Sequence, residues 1–144
     1  MHPYPHTYTS RASGAATGIV TVDAPGLPSI DTSPPPQFDG PEGVWSPEVL
    51  LCAALADCFV LTFRGVARAG RLEWQDLSCS VEGTLERADG VSRFTRYATV
   101  VDLTVAAGTD VAAATALLER AERACLISNS VNGTRSLEAR VRVA

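Results

Sequence analysis

The sequence predicts an α+β fold built on antiparallel sheet. Three observations carry this. Two stretches with apolar/polar alternation flank a tight turn at Ala88-Asp89-Gly90, two other stretches have helical length and periodicity, and the chain closes on a further alternating run. Taken in order, the elements read β-β-loop-α-β-β-α-β, which is not the strict βαβα alternation of a parallel doubly wound sheet.

Tyr4 to Arg11 (YPHTYTSR) alternates weakly and reads as an edge strand. Ile19 to Asp23 (IVTVD) is rich in β-branched residues and reads as a second strand. Most of the nine prolines then fall between Pro25 and Pro41, so residues 25–41 are expected to form a long loop of polyproline character. Loops of that length in compact domains tend to be functional or to cross between subunits.

Ser46-Pro47-Glu48 is a helix start. Serine caps, proline fits the first helical position where no N–H partner is needed, and a carboxylate suits the positive end of the dipole. The helix is expected to run to about Ala69, with Gly70 as its stop. Leu50, Leu51, Ala54, Leu55, Cys58, Phe59, Leu61 and Thr62 cover far more than a third of its circumference, which places it at the centre of a fold. Leu77 to Arg87 puts Leu77, Cys79, Val81, Gly83 and Leu85 on one face, and the Asp-Gly turn leads to a partner strand, Phe94 to Val105. Thr109-Asp110 caps a second helix, Val111 to about Leu126, whose stripe is Ala114, Leu117, Leu118, Ala121, Ala124 and Cys125. Asn132-Gly133 makes a turn, and Leu137 to Val143 alternates as the last strand.

The 144 residues fit one domain, 1–144. A net charge of −4 lacks the footprint of a nucleic-acid binder. All 12 basic residues are arginine, and with the abundant alanine this suggests a GC-rich, bacterial coding source. The opening MHPYPHTYTS has no basic stretch followed by an apolar one, so no signal peptide is expected. The apolar run Val49 to Phe63 is broken by Asp57 and flanked by Glu48 and Arg64, so no bilayer span is expected either. A cytoplasmic location follows, where thiols stay reduced. The four cysteines then read as core residues or reactive thiols, not as a disulfide framework.

No phosphate loop, serine elbow or metal-ligand cluster competes with the cysteines for attention. Cys58 has two readings, a packed core thiol or a nucleophile, and only the thiolate attacks. A reactive Cys58 needs a cation. Arg11, Arg64, Arg93 and Arg96 are candidates among which the sequence does not choose, although Arg64, six residues on, is not on the same helix face. Cys125 ends a helix, where carbonyl groups oppose a thiolate. That makes it the poorer first nucleophile and the better resolving thiol. Glu48 reads either as a dipole-friendly surface carboxylate or as a site residue. Ten residues separate it from Cys58, about 15 Å along a continuous helix, so the two meet only if two such helices pack antiparallel in a dimer. Cys52 and Cys79 read as core. His2 and His6 alone are weak evidence for a metal. Ser128 and Asn129 suit a helix cap or, for Asn129, a polar contact to substrate. Phe38, Trp45, Phe59 and Trp74 suit a core or an apolar pocket. Phe59, Arg64 and Asn129 are therefore the candidate substrate contacts.

The stretch SPEVLLCAALADCFVLTFRGVARAG followed by ERACLISNS resembles the osmotically inducible protein C / organic hydroperoxide resistance (OsmC/Ohr) family. The first part is similar to its Pro-Glu-x-Leu-Leu and Ala-Ala-Leu-Ala-x-Cys-Phe helix motif, the second to its Cys-x-x-Ser-Asn motif. The resemblance implies an intertwined α+β homodimer, with antiparallel sheets wrapped around two central helices and sites at the interface. It implies a thiol-dependent peroxidase with no metal, haem or other cofactor. Cys58 would be the peroxidatic thiol, Cys125 the resolving thiol, and Glu48 the carboxylate that orients an active-site arginine. Substrates would be alkyl or lipid hydroperoxides, and the electron donor a dithiol such as a dihydrolipoyl protein. Two positions depart from the pattern. The N-terminal GAATGIV has no arginine where the organic hydroperoxide branch carries one after a glycine, and Asp57 replaces the small residue before the cysteine. The expected function is thus a hydroperoxide reductase working through a Cys58 sulfenate and a Cys58–Cys125 disulfide. The alternative is an OsmC-like apolar-ligand-binding or stress protein with little peroxidase activity.

Overall fold

The computed structural model describes residues 2–144. The chain forms two compact units, Met1–Leu50 and Leu51–Ala144.

The first unit carries a three-stranded antiparallel sheet of β1 (Arg11–Gly14), β2 (Val20–Asp23) and β3 (Ile30–Thr32), with β2 central. β2 lies where expected. The expected strand over Tyr4–Arg11 does not form: the first strand begins at Arg11, and Tyr4 and Tyr8 stand exposed. Pro3 and Pro5 remove ladder donors just where that strand would need them. β3 was not expected. It occupies the gap between Pro28 and Pro34, pairs Thr32 with Val20, and adds a bond from the Thr32 hydroxyl to the Val20 carbonyl at 3.2 Å. The Ser33 N–H then donates to the Trp45 carbonyl at 2.9 Å, which draws the end of the proline loop back to its beginning. Between them a 3-10 turn, Pro36–Phe38, ends at Asp39 in the left-handed region. Gly40 follows with no room for a side chain, since a Cβ there would lie 1.7 Å from the Pro34 carbonyl oxygen.

α1 (Pro47–Ala69) starts as its sequence predicts, with the Val49 N–H donating to Ser46 Oγ at 3.3 Å. Its end differs in detail. The residue in the left-handed conformation is Arg71 (φ 54°), not Gly70. Leu72 N–H donates to the Ala67 carbonyl and Arg71 N–H to the Arg68 carbonyl, the paired bonds of a Schellman stop. A Cβ at Gly70 would come within 2.9 Å of the Leu117 methyls, so a larger residue there would make that side chain shift.

The sheet of the second unit contains β4 (Trp74–Ala88), β5 (Val91–Val105) and β6 (Thr134–Val143), in that order. β4 and β5 form the expected hairpin, and Asp89 and Gly90 both have positive φ, as a two-residue type I′ turn requires. A register shift after Thr84 takes Leu85 off the apolar face assigned to it and leaves it exposed. The all-antiparallel expectation also needs correction, because β6 runs parallel to β5. α2 (Val111–Ala124) lies between them in sequence and is a crossover, which returns the chain in the same direction.

The core of this unit joins Phe59, Phe63, Val66 and Ala67 of α1 to Val101, Leu103 and Val105 of β5 and to Ala114, Leu118 and Ala121 of α2. Between those β5 positions, Asp102 points to the other face and pairs with Arg142 at 2.8 Å. Ala124, expected in the buried stripe, is exposed because α2 stops there. At 23 residues, α1 is long and apolar enough, by length and composition alone, to cross a membrane. Asp57 stands in its middle, and Phe59, Phe63 and Val66 enter the core from one side of it.

Candidate active site

Two buried thiols lie in the second unit. Cys58 projects from the buried face of α1, with its Sγ 3.9 Å from the Thr62 hydroxyl one turn on. Cys125 is the C-cap of α2, where ψ swings to 111° and the chain leaves the helix. Asp110 sets where this helix begins, accepting from the Ala112 and Ala113 N–H groups at 2.9 and 3.2 Å. Cys125 is fully buried, and Cys58 is among the groups that act on its thiol. Both sulfurs are free thiols.

The turn after α2 is built around Cys125. The Asn129 N–H donates to the Cys125 carbonyl at 3.0 Å, and Ser128, three residues on, is itself buried. Burial pushes the Cys125 thiol up, the two Ser128 donors oppose that, and the neighbouring Cys58 adds to it. The net direction is upward, which keeps Cys125 neutral while leaving a thiolate on it some direct support.

A polar network missed by the sequence reading supports the same turn. Glu122, one turn before Cys125, has a side chain only 15% exposed and pairs with Arg135 of β6 at 3.5 Å. Burial pushes its carboxyl up and the guanidinium pulls it back. Arg135 also donates to Asn129 Oδ1 at 3.3 Å, while Asn129 Nδ2 donates to the Arg123 carbonyl at 3.1 Å. Asn129 thus has both ends of its amide engaged in tying the turn to α2 and β6. Cys79 of β4 belongs to this neighbourhood as well. Its thiol is pushed up to about 12, first by burial, then by Glu122 and Cys125. The one sequence signal for this group was the spacing of Glu122, three residues before the cysteine. Its partner Arg135 is brought in only by the parallel pairing of β6.

The remaining candidates are placed as follows. Phe59 is buried in the core and Trp74 packs edge-on to Phe63, with ring centroids 5.5 Å apart. Arg64 is exposed. Arg93 and Arg96 lie on β5, where both are exposed. Glu48 sits in the other unit, where it lines a cavity of about 380 Å³ together with Phe38, and its Oε2 is buried with no hydrogen-bond partner among the described residues. Trp45 is half exposed. The His6 ring is engaged with the His2 carbonyl at 3.0 Å.

Comparison with known proteins gives a consistent picture. The family model for OsmC-like protein matches residues 40–139. The uncharacterized protein YmaD of Bacillus subtilis (strain 168) is 31% identical over 107 residues, 72% of this chain and 71% of its own. An OsmC-like protein of unknown function from Vibrio cholerae superposes with a TM-score of 0.80 at 18% identity, covering 97% of this chain and 100% of its own. The organic hydroperoxide resistance protein OsmC of Legionella pneumophila gives 0.73 at 26% identity, over 96% and 98% of the two chains. The organic hydroperoxide resistance protein OhrB of Bacillus subtilis gives 0.69 at 23% identity, over 95% and 98%. With the α+β fold, the order of elements and both cysteine motifs in place, the chain belongs to the OsmC-like family.

Proposed function

We propose that this protein is a cysteine-based peroxidase that reduces organic hydroperoxides. The observation that supports this most strongly is that Cys58 of α1 and Cys125 at the end of α2 are both buried free thiols of one unit, with Cys58 among the groups acting on the Cys125 thiol.

The Cys58 thiolate attacks the terminal oxygen of an alkyl or lipid hydroperoxide. The O–O bond breaks, the alkoxide takes a proton and leaves as the alcohol, and Cys58 becomes a sulfenic acid. Cys125 sulfur then attacks the sulfenic sulfur, water leaves, and a Cys58–Cys125 disulfide forms. An external dithiol, of the dihydrolipoyl kind, reduces that bond by exchange and is itself left as a disulfide. The upward push on the Cys125 thiol suits this order, because it holds Cys125 as a neutral thiol until the sulfenate appears. Val49 and Leu61 of α1 remain largely exposed, and only 28% of its most apolar 18-residue stretch is buried. This supports a homodimer in which a second copy covers that face.

The test is consumption of cumene hydroperoxide with dihydrolipoamide as reductant. The wild type should turn over repeatedly. Cys58→Ser should consume no more peroxide than buffer, and Cys125→Ser should stop after one equivalent with a dimedone-reactive sulfenate on Cys58. Wild-type protein that leaves the peroxide intact would instead be an OsmC-like apolar-ligand module.

A further inference from the structure

A nucleophilic Cys58 needs a partner for the charge on its sulfur, because only the thiolate attacks. The helix itself gives little. Cys58 stands about three turns into α1, beyond the first turn in which the dipole acts. Its neighbour Asp57 and the later Arg64 are both exposed, where water and salt screen their charges.

Thr62 brings a hydrogen-bond donor to that sulfur. It follows Cys58 by one turn of α1, so the two side chains share a face. Its hydroxyl lies 3.9 Å from Cys58 Sγ, a hydrogen-bonding distance for an atom as large as sulfur. A helical threonine has another choice, the backbone carbonyl one turn back. Thr115 of α2 takes it, donating to the Val111 carbonyl at 2.9 Å. The Thr62 hydroxyl is directed at the cysteine side chain. Threonine is also a poorer helix former than alanine or leucine, so helix formation does not ask for it here. While Cys58 is a thiol, either atom can donate. A thiolate has no proton, so the hydroxyl is then the donor, in a charge-assisted bond about twice as strong as a neutral one.

We propose that Thr62 is a further catalytic residue, whose hydroxyl donates to the Cys58 thiolate and holds it ready for attack. Its purpose rests on the peroxidase reading, and its content on the geometry of α1. Thr62 keeps its proton throughout. As the S–O bond forms and the O–O bond breaks, negative charge passes from the sulfur to the departing alkoxide, which takes its proton from water. The bond from Thr62 weakens at the same moment, because the sulfur it served is no longer charged.

Alkylation of the full chain by iodoacetamide at neutral pH reads the thiolate without any peroxide. Peptide mass mapping separates Cys58 from the other three cysteines. Thr62→Val keeps the shape and loses the hydroxyl. Loss of a charge-assisted bond lowers the thiolate fraction roughly 10-fold. A less acidic thiol regains part of this through its greater nucleophilicity, so Cys58 should alkylate about 3-fold more slowly in Thr62→Val than in the wild type. Thr62→Ser restores the hydroxyl and should restore the rate, which a purely structural role of the threonine methyl would not do. Should the valine variant not fold, Thr62→Ser against Thr62→Ala decides the matter, with the alanine variant slow. A valine variant as fast as the wild type, or a serine variant as slow as valine or alanine, would overturn the proposal. Wild-type protein that shows this alkylation pattern but leaves cumene hydroperoxide intact would support the Thr62 bond and sink only the peroxidase reading.

Discussion

Ser128 lies buried three residues after the buried Cys125, and its two donors, the hydroxyl and the backbone N–H, oppose the effect of burial on that thiol. Both donors favour the thiolate against a burial effect that disfavours it. The resolving step therefore depends on this serine. Ser128→Ala keeps the backbone donor and loses the hydroxyl, so the Cys125 thiol should be pushed further up. The sulfenate on Cys58 should then live longer, and the pH at which disulfide formation reaches half its maximum should rise. Stopped-flow tryptophan fluorescence against pH, with dimedone trapping, would read both; an unmoved midpoint would remove Ser128 from the resolving step.

Arg135 ties three pieces together: Glu122 of α2, Asn129 of the turn and its own strand β6. Arg135→Ala should cost about 1 kcal/mol at neutral pH, since the pair is partly exposed. The sign of its pH dependence follows from Glu122. Burial raises the folded pKa of that carboxyl above its unfolded value, so the associated stability is fully present below the ordinary carboxylate pKa and is lost as pH rises through the folded value. Removing the guanidinium enlarges that loss. The deficit of Arg135→Ala, measured as a shift in urea midpoint, should therefore be largest near neutrality and shrink in acid, where Glu122 is protonated in both states.

Cys79 makes an alkaline prediction. Its folded pKa of about 12 stands above the reference value of 9.0. Between those values the unfolded chain gives up the proton while the folded one keeps it, so stability falls as pH rises through that window. Discounted for partial exposure, the loss is on the order of 2 kcal/mol. Cys79→Ala should show a flatter decline in urea midpoint above pH 9 than the wild type. Parallel curves would mean that Cys79 does not hold its proton in the folded state.

Arg71 holds a left-handed conformation at the stop of α1. For a residue with a Cβ this costs roughly 1–2 kcal/mol, part of which glycine returns through its greater freedom when unfolded. Arg71→Gly should thus raise stability by about 0.5–1 kcal/mol, seen as a higher Tm with no change in peroxide consumption.

Local signals carried most of the fold. Ser46 and Asp110 announced both helices, and the Asp89-Gly90 pair announced the hairpin, because caps and two-residue turns are decided by the residues that form them. What stayed hidden depends on partners distant in sequence. β3 is three residues long and exists only because β2 offers it a ladder. The parallel direction of β6 follows from the crossover through α2, and the exposure of Leu85 from a bulge set by Thr95 on the facing strand. The same holds for the site. Two cysteines on two helices could be singled out, but the Glu122–Arg135–Asn129 network and the company of Cys79 require the sheet that assembles them.

The central claim is that Cys58 and Cys125 act as one redox pair. Peptide mass mapping after a single equivalent of cumene hydroperoxide measures this most directly. The account predicts a Cys58–Cys125 disulfide as the main product, reversed by dihydrolipoamide and absent from either single serine variant. Cys58 recovered as a free thiol beside unreacted peroxide, or joined to a cysteine other than Cys125, would contradict it.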